Sequence, residues 1–203
     1  MFITIEGIDG SGKSTQAKML KEWIEKRTDT EVVLTREPGG WEHGTLLREL
    51  VLNGKLSHPW SEAYLFMLDR AEHVATVIEP ALIENKIVLC ERYHDSTLAY
   101  QVWGRGLDKE SLINMYKISN FPDPDLKILF DVDASIAINR FRKRGKIDSI
   151  ESEGYEFLSR IRNGYLSLAD SEPKKWIKIN TDNKKIDDIF AETIDEILSR
   201  EIF

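Results

Sequence analysis

The sequence predicts an α/β fold, a doubly wound sheet of five parallel strands with helices on both faces, and three observations predict it. Short β-branched runs alternate with longer helical patterns along the chain. The short runs are largely apolar, as strands buried on both faces are. Each is followed by enough chain for the crossover helix that parallel pairing requires. The first run is Phe2 to Ile5, followed by a helical pattern from Lys13 to Lys26. Glu31 to Leu34 is the second, with helical stretches reaching about Asn85. Ile87 to Cys90 precedes helices near 95 to 119, and Lys127 to Val132 precedes a helix ending at about Arg144. Trp176 to Ile179 is the fifth, and a closing helix starts at about Ile186. The stretch from 42 to 85 exceeds a simple crossover, and insertions of this kind build binding sites. A chain of 203 residues with no Pro/Gly/Ser-rich break reads as one domain over 1–203.

Composition narrows the function. Hydrophobic residues make up 41% and charged residues 31%, and 35 acidic against 28 basic side chains leave a net charge of −7. That balance disfavours nucleic acid and anionic membrane surfaces as partners. No apolar run approaches the roughly 18 residues of a membrane span. The strand-like start, closed off by Glu6, lacks the basic and long apolar regions of a signal peptide, so a cytoplasmic protein is expected. The single cysteine, Cys90, sits in an apolar run and reads as a small buried thiol, with no disulfide framework or zinc spacing around it.

The chemistry starts at Gly7-Ile8-Asp9-Gly10-Ser11-Gly12-Lys13-Ser14, which fits GxxxxGK[ST] between a strand and a helix. The glycines let successive backbone N–H groups converge on phosphate oxygens at a helix N-terminus. Lys13 reaches the β- and γ-phosphates, Ser14 offers its hydroxyl to Mg²⁺, and Thr15 extends the loop into the helix. A nucleoside triphosphate is therefore the expected ligand. A GTPase should also carry NKxD near the penultimate strand. The nearest text, Asn183-Lys184-Lys185-Ile186-Asp187, places its Asp one residue late and reads as a helix start. ATP is the expected donor.

Four further blocks, Phe2 to Thr15, Thr35 to Gly40 (TREPGG), Glu91 to Gln101 (ERYHDSTLAYQ) and Gly104 to Asp108 (GRGLD), occur in an order that resembles thymidylate kinases over nearly the whole chain. The resemblance implies a P-loop NTPase fold with a mobile lid at about 144–153, Mg²⁺, ATP and dTMP as ligands, and a homodimer. It implies that Arg36, at the carboxyl edge of the sheet, clamps the acceptor phosphate, a task suited to a bidentate guanidinium. Phe66 and Arg70, four apart on a helix, are implied to stack on thymine and bond a base carbonyl. Glu91 is implied to hold Mg²⁺ through water, and Arg92 to bridge the phosphates as charge moves between them. Ser96 and Thr97 are placed at the thymine edge, and Tyr100 and Gln101 beside the sugar, where a tyrosine excludes a ribose 2′-hydroxyl. Asp9 is implied to accept from the acceptor's 3′-hydroxyl. A deoxynucleoside kinase, a kinase for another monophosphate and a non-catalytic nucleotide switch are the rival readings. Arg36 argues for a monophosphate, because a nucleoside offers it nothing to bind.

Two departures stand out. Ser149 takes the place where one branch of the family carries a lid arginine, and the phosphate loop lacks the other branch's arginine. Arg144 or Lys146 then supplies the transition-state cation, and Arg144 is the expected one. Trp41 follows the paired glycines where a small polar residue is common. The adenine pocket is expected near Asn180 and Thr181.

Overall fold

The computed structural model describes residues 1–53, 56–144 and 153–202, apart from the side chains of Phe141 and Arg144. The expected lid falls almost wholly outside this range, as do Lys146 and Ser149. Its five strands are β1 (Phe2–Glu6), β2 (Val32–Arg36), β3 (Ile87–Glu91), β4 (Leu126–Asp131) and β5 (Trp176–Asn180). They form one parallel sheet in the order β2-β3-β1-β4-β5. Every residue of β1 is buried, Thr4 and Glu6 included, as its central place in the sheet demands. The register sets Arg36 and Ile5 opposite Glu91, and Asp131 opposite Asn180. The carboxyl ends of the strands thus form a single edge, and the polar residues that close each run collect there.

Helix α1 (Lys13–Thr28) follows β1, and α9 (Ile186–Ser199) closes the chain. Together they cover one face, where Ile3, Ile5, Leu89, Ile128 and Ile177 meet Ala17, Leu20, Ile24, Ile189 and Ile197. Full burial of such side chains stabilises the fold by about 1.5–3 kcal/mol each. The insertion holds α2 (Gly44–Asn53), α3 (Pro59–His73) and α4 (Glu79–Ile83), with the wider π-helical turns of Val74–Ile78 joining α3 to α4. Pro59 opens α3, and His58 accepts the Trp60 N–H as its cap. On this side Val74, Ile78 and Tyr93 pack on Phe2, Val88 and Cys90, so the cysteine is buried as its apolar run suggests.

The helical stretch near 95–119 is broken into α5 (His94–Thr97), a π-helical segment (Leu98–Gly104) and α6 (Lys109–Ser119). Gly106 at φ 76° makes the break, and Asp108 caps α6 by accepting from Ser111 N. After β4 comes α7 (Ala134–Arg144). Helix α8 (Tyr155–Ser171), to which the sequence reading assigns no element, packs against the π-helical segment. Gly164 allows that approach, since a Cβ there would meet Trp103 at 2.8 Å. Among the described residues no helix is long and apolar enough to cross a membrane.

Candidate active site

The loop between β1 and α1 folds as its glycines require. Gly7 has φ 137°, and a Cβ on it would lie 2.5 Å from the Phe130 carbonyl oxygen. Gly10 and Gly12 also have positive φ, at 78° and 92°. Lys13 is the first residue of α1, and its Nζ donates to the Ile8 carbonyl at 2.8 Å. Burial and the neighbouring Arg92 bring the Lys13 ammonium down to about 8, against the pull of Asp9, Glu91 and Glu6. Ser14 Oγ donates to Glu91 Oε2 at 2.7 Å, so the loop hydroxyl and the acid closing β3 stand together. These residues line a cleft of about 370 Å³ whose wall also carries Arg36, Arg48, Arg92 and Arg140. Arg36 is exposed on the cleft wall. Arg140 donates to the Gly10 carbonyl at 2.8 Å and to the Thr181 carbonyl at 2.8 Å, tying the phosphate loop to the loop after β5.

Arg92, just beyond β3, adopts φ 67°, an uncommon conformation for a residue with a Cβ. That turn is held by several partners. Its Nη2 donates to Asp9 Oδ1 at 2.7 Å and to Tyr100 Oη at 3.1 Å, and its Nη1 donates to Tyr165 Oη at 3.1 Å. Tyr100 Oη donates in turn to Asp9 Oδ2 at 3.0 Å. Burial acts to raise the Asp9 carboxyl, but the charges of Arg92 and Lys13 and these hydrogen bonds outweigh it and hold it well below the ordinary carboxylate range. Asp9 is therefore an anion at any working pH.

A second pocket adjoins the first. Phe66, Arg70, Thr97 and Gln101 line it, and Asp9, Glu37, Arg48 and Arg92 belong to both. Arg70 is 1% exposed, donates from Nε to Glu37 Oε2 at 2.9 Å and from Nη2 to Thr97 Oγ1 at 3.0 Å, and lies over the Tyr93 ring at 4.9 Å. Gln101 Nε2 donates to Glu62 at 3.1 Å, while its Oε1 is buried without a partner. Ser96 lines the pocket too, but its Oγ donates to Glu6 Oε2 at 2.5 Å and meets Tyr165 Oη at 2.6 Å. Trp41 donates from Nε1 to Asp69 at 2.8 Å and packs on Gly44, so the pocket wall is built without it.

Of the sequence-predicted site residues, Asp9, Lys13, Ser14, Arg36, Phe66, Arg70, Glu91, Arg92, Ser96, Thr97, Tyr100 and Gln101 surround the two joined spaces, whereas Ile8 packs into the core and Ser11 is buried. The Arg144 side chain lies outside the described residues. Sequence reasoning missed Glu37, Arg48, Tyr165 and Arg140. Glu37 was in view inside the TREPGG block. Tyr165 gave no local signal, being 73 residues from the arginine it meets.

A phosphate loop at the central strand, joined by two shared arginines to an aromatic-walled second pocket, defines the P-loop kinases that pass phosphate to a small acceptor. A family model described as thymidylate kinase matches residues 5–193. The chain is 47% identical over 181 residues to a thymidylate kinase of Pelotomaculum thermopropionicum, covering 86% of this chain and 82% of that one. It is 43% identical over 211 residues to a probable thymidylate kinase of Thermococcus kodakarensis, covering 99% and 100%. The crystal structure of thymidylate kinase from Ehrlichia chaffeensis superposes with a TM-score of 0.80 at 33% identity, covering 98% of each chain. The chain belongs to the thymidylate kinase family.

Proposed function

We propose that the chain phosphorylates dTMP to dTDP with ATP as donor. The observation that carries this reading is the shared wall: Arg48 and Arg92 border both the phosphate-loop cleft and the aromatic pocket. A group spanning the two spaces would sit between cations, as transfer between two nucleotides requires. An oxygen of the acceptor's 5′-phosphate attacks the γ-phosphorus in line. A new P–O bond forms, the bond to the β–γ bridging oxygen breaks, and ADP leaves with the electron pair. The monoester has a second pKa near 6 and is already a nucleophilic dianion, so no strong base is needed. Arg36 clamps the acceptor phosphate, and Lys13 and Arg92 stabilise the charge in transit.

Hydroxyl and carboxylate oxygens are the donors a hard cation prefers, and Ser14 and Glu91 supply both at 2.7 Å from one another. These two residues would hold Mg²⁺, Glu91 through water, and the ion would neutralise charge on the donor phosphates. Phe66 stacks on the base, Arg70 and Thr97 read its edge, and Tyr100 and Gln101 with Asp9 meet the sugar. Ser96 supports the wall through Glu6. Exposed Leu46 and Leu50 on α2, and Tyr64 and Leu68 on α3, form apolar stripes that support assembly as a homodimer. A cytoplasmic setting suits the buried free thiol.

The test is ADP production from MgATP with dTMP, dUMP, thymidine, AMP or no acceptor. The reading requires dTMP to be the best acceptor and thymidine to be inert. Preference for thymidine replaces it with a deoxynucleoside kinase, and no response to any acceptor replaces it with a nucleotide switch.

A further inference from the structure

Phe66, Arg70 and His73 recur at i, i+4 and i+7, so α3 carries all three along one side. The first two line the second pocket. His73, the last residue of the helix, lies behind them and is 0% exposed. A buried imidazole needs partners for both ring nitrogens. His73 finds one in Thr35 Oγ1, 2.6 Å from Nε2, and one in Glu37 Oε1, 3.0 Å from Nδ1. A carboxylate only accepts, so the proton on that contact belongs to Nδ1.

Glu37 is the link between the imidazole and the pocket. Its other oxygen, Oε2, takes both Nε and Nη2 of Arg70, at 2.9 and 2.7 Å. Arg70 passes the chain on to Thr97. One uninterrupted series of contacts therefore runs from β2 through Thr35, His73, Glu37 and Arg70 to α5. Glu37 Oε1 takes the imidazole, and the carboxylate is 4% exposed, so water cannot readily replace that partner. The loop that bears Arg36 is packed on the same ring: a Cβ on Gly40 would stand 2.6 Å from His73 Nε2.

Cys90 lies close to Glu37 and His73, a grouping able to ligate a metal elsewhere. Here Arg70 already neutralises the carboxylate, and the Cys90 thiol, pushed up by burial, donates to the Arg92 carbonyl at 3.1 Å. These contacts favour a hydrogen-bonded array over an ion.

We infer that His73 is a positioning residue for acceptor recognition: through its Nδ1–H it fixes the Glu37 carboxylate, and through Glu37 the Arg70 guanidinium that reads the base. The inference rests on the dTMP reading for its kinetic consequence and on the geometry alone for its structural one. Asparagine can place an N–H where Nδ1 stands, and glutamine can reach the Nε2 position, so the two variants separate the contact to Glu37 from the contact to Thr35.

The experiment compares His73→Asn, His73→Gln and wild type by KM for dTMP, KM for ATP and kcat, with Tm for each protein and the ¹⁵N-resolved Nε–H signal of Arg70. Losing the imidazole donor to a buried carboxylate oxygen should raise KM for dTMP about tenfold in His73→Gln and less than about threefold in His73→Asn. KM for ATP should stay within about twofold in both, because neither His73 nor Arg70 lines the phosphate-loop cleft. The Arg70 signal should shift or broaden in His73→Gln and stay near its wild-type position in His73→Asn. Equal behaviour of the two variants, or parallel rises in both KM values, would overturn the inference. If wild type itself ignores dTMP, the functional reading falls, and the Arg70 signal in the same two variants still decides whether His73 positions it.

Discussion

Glu6, at the end of the central strand, is fully buried. Its Oε1 accepts from Tyr93 N at 2.9 Å and its Oε2 from Ser96 Oγ at 2.5 Å. Burial, helped by the negative charge of Asp95, pushes its carboxyl from 4.5 up to about 7, against the hydrogen bonds from Ser96 and Tyr93 and the charge of Arg92. The folded protein therefore holds the Glu6 proton more tightly than the unfolded chain does. The stability this contributes is full below pH 4.5 and is lost as pH rises towards 7, above which the loss is complete. A separation of about 2.5 pH units is worth about 3 kcal/mol. Glu6→Gln keeps the shape and stays neutral throughout. Its amide oxygen can accept from Tyr93 N, and its NH₂ can donate to Ser96 Oγ, leaving the serine hydroxyl to donate to Tyr165. Urea unfolding from pH 4.5 to 8 should show the variant gaining on wild type as pH rises, by up to about 3 kcal/mol. A stability difference that stays constant within about 0.5 kcal/mol across that range would show that Glu6 has the same affinity for its proton folded and unfolded, and would refute the reasoning.

The remaining predictions concern the phosphate loop, the acceptor loop and the lid. Because the Lys13 ammonium is brought down to about 8, it loses its proton above that pH, and kcat/KM for ATP should fall with an apparent pKa near 8; a profile flat to pH 10 contradicts this. A Cβ on Gly40 would stand 2.4 Å from the Arg36 carbonyl and 2.5 Å from Thr35 Oγ1. Gly40→Ala should therefore lower stability by about 1–3 kcal/mol and raise KM for dTMP more than KM for ATP, as measured by denaturant melts and initial rates. Arg144→Ala should lower kcat by about 10³, and a change within about twofold would remove Arg144 as the transition-state cation.

The sheet was readable because its physics is local. Continuous apolar runs such as Ile87-Val88-Leu89-Cys90 have few uses in a chain of this composition other than strands buried on both faces. The structure extends β2 and β5 by one or two polar residues, Arg36 and Asn180 among them, where pairing continues after the apolar pattern stops. The absence of α8 from the sequence reading was avoidable in part: Phe157, Leu158, Ile161, Tyr165 and Leu168 are buried at helical spacing. What no spacing revealed was the role of its Tyr165. Hydroxyl contacts to Arg92 and Ser96 depend on how α8 packs on the π-helical segment, a tertiary fact.

The same distinction runs through the site. Lys13, Ser14 and Arg36, which line one cleft, were legible because a phosphate-loop motif is written in contiguous residues and a strand end is marked by its pattern. The contacts that hold Arg70 and Arg92 span the sequence instead: Glu37, in the turn after β2, and His73 behind it, at the end of α3, hold Arg70, and Tyr165 from α8 meets Arg92. Arg70 shows why this matters. Read from sequence it is a helix residue that reaches a base, yet in the structure its guanidinium is already committed to Glu37 and Thr97 before any ligand arrives. A side chain held so closely loses little freedom on binding and presents a fixed donor edge. On the proposed dTMP reading, selectivity for one base depends on the partners that set its angle as much as on the arginine itself.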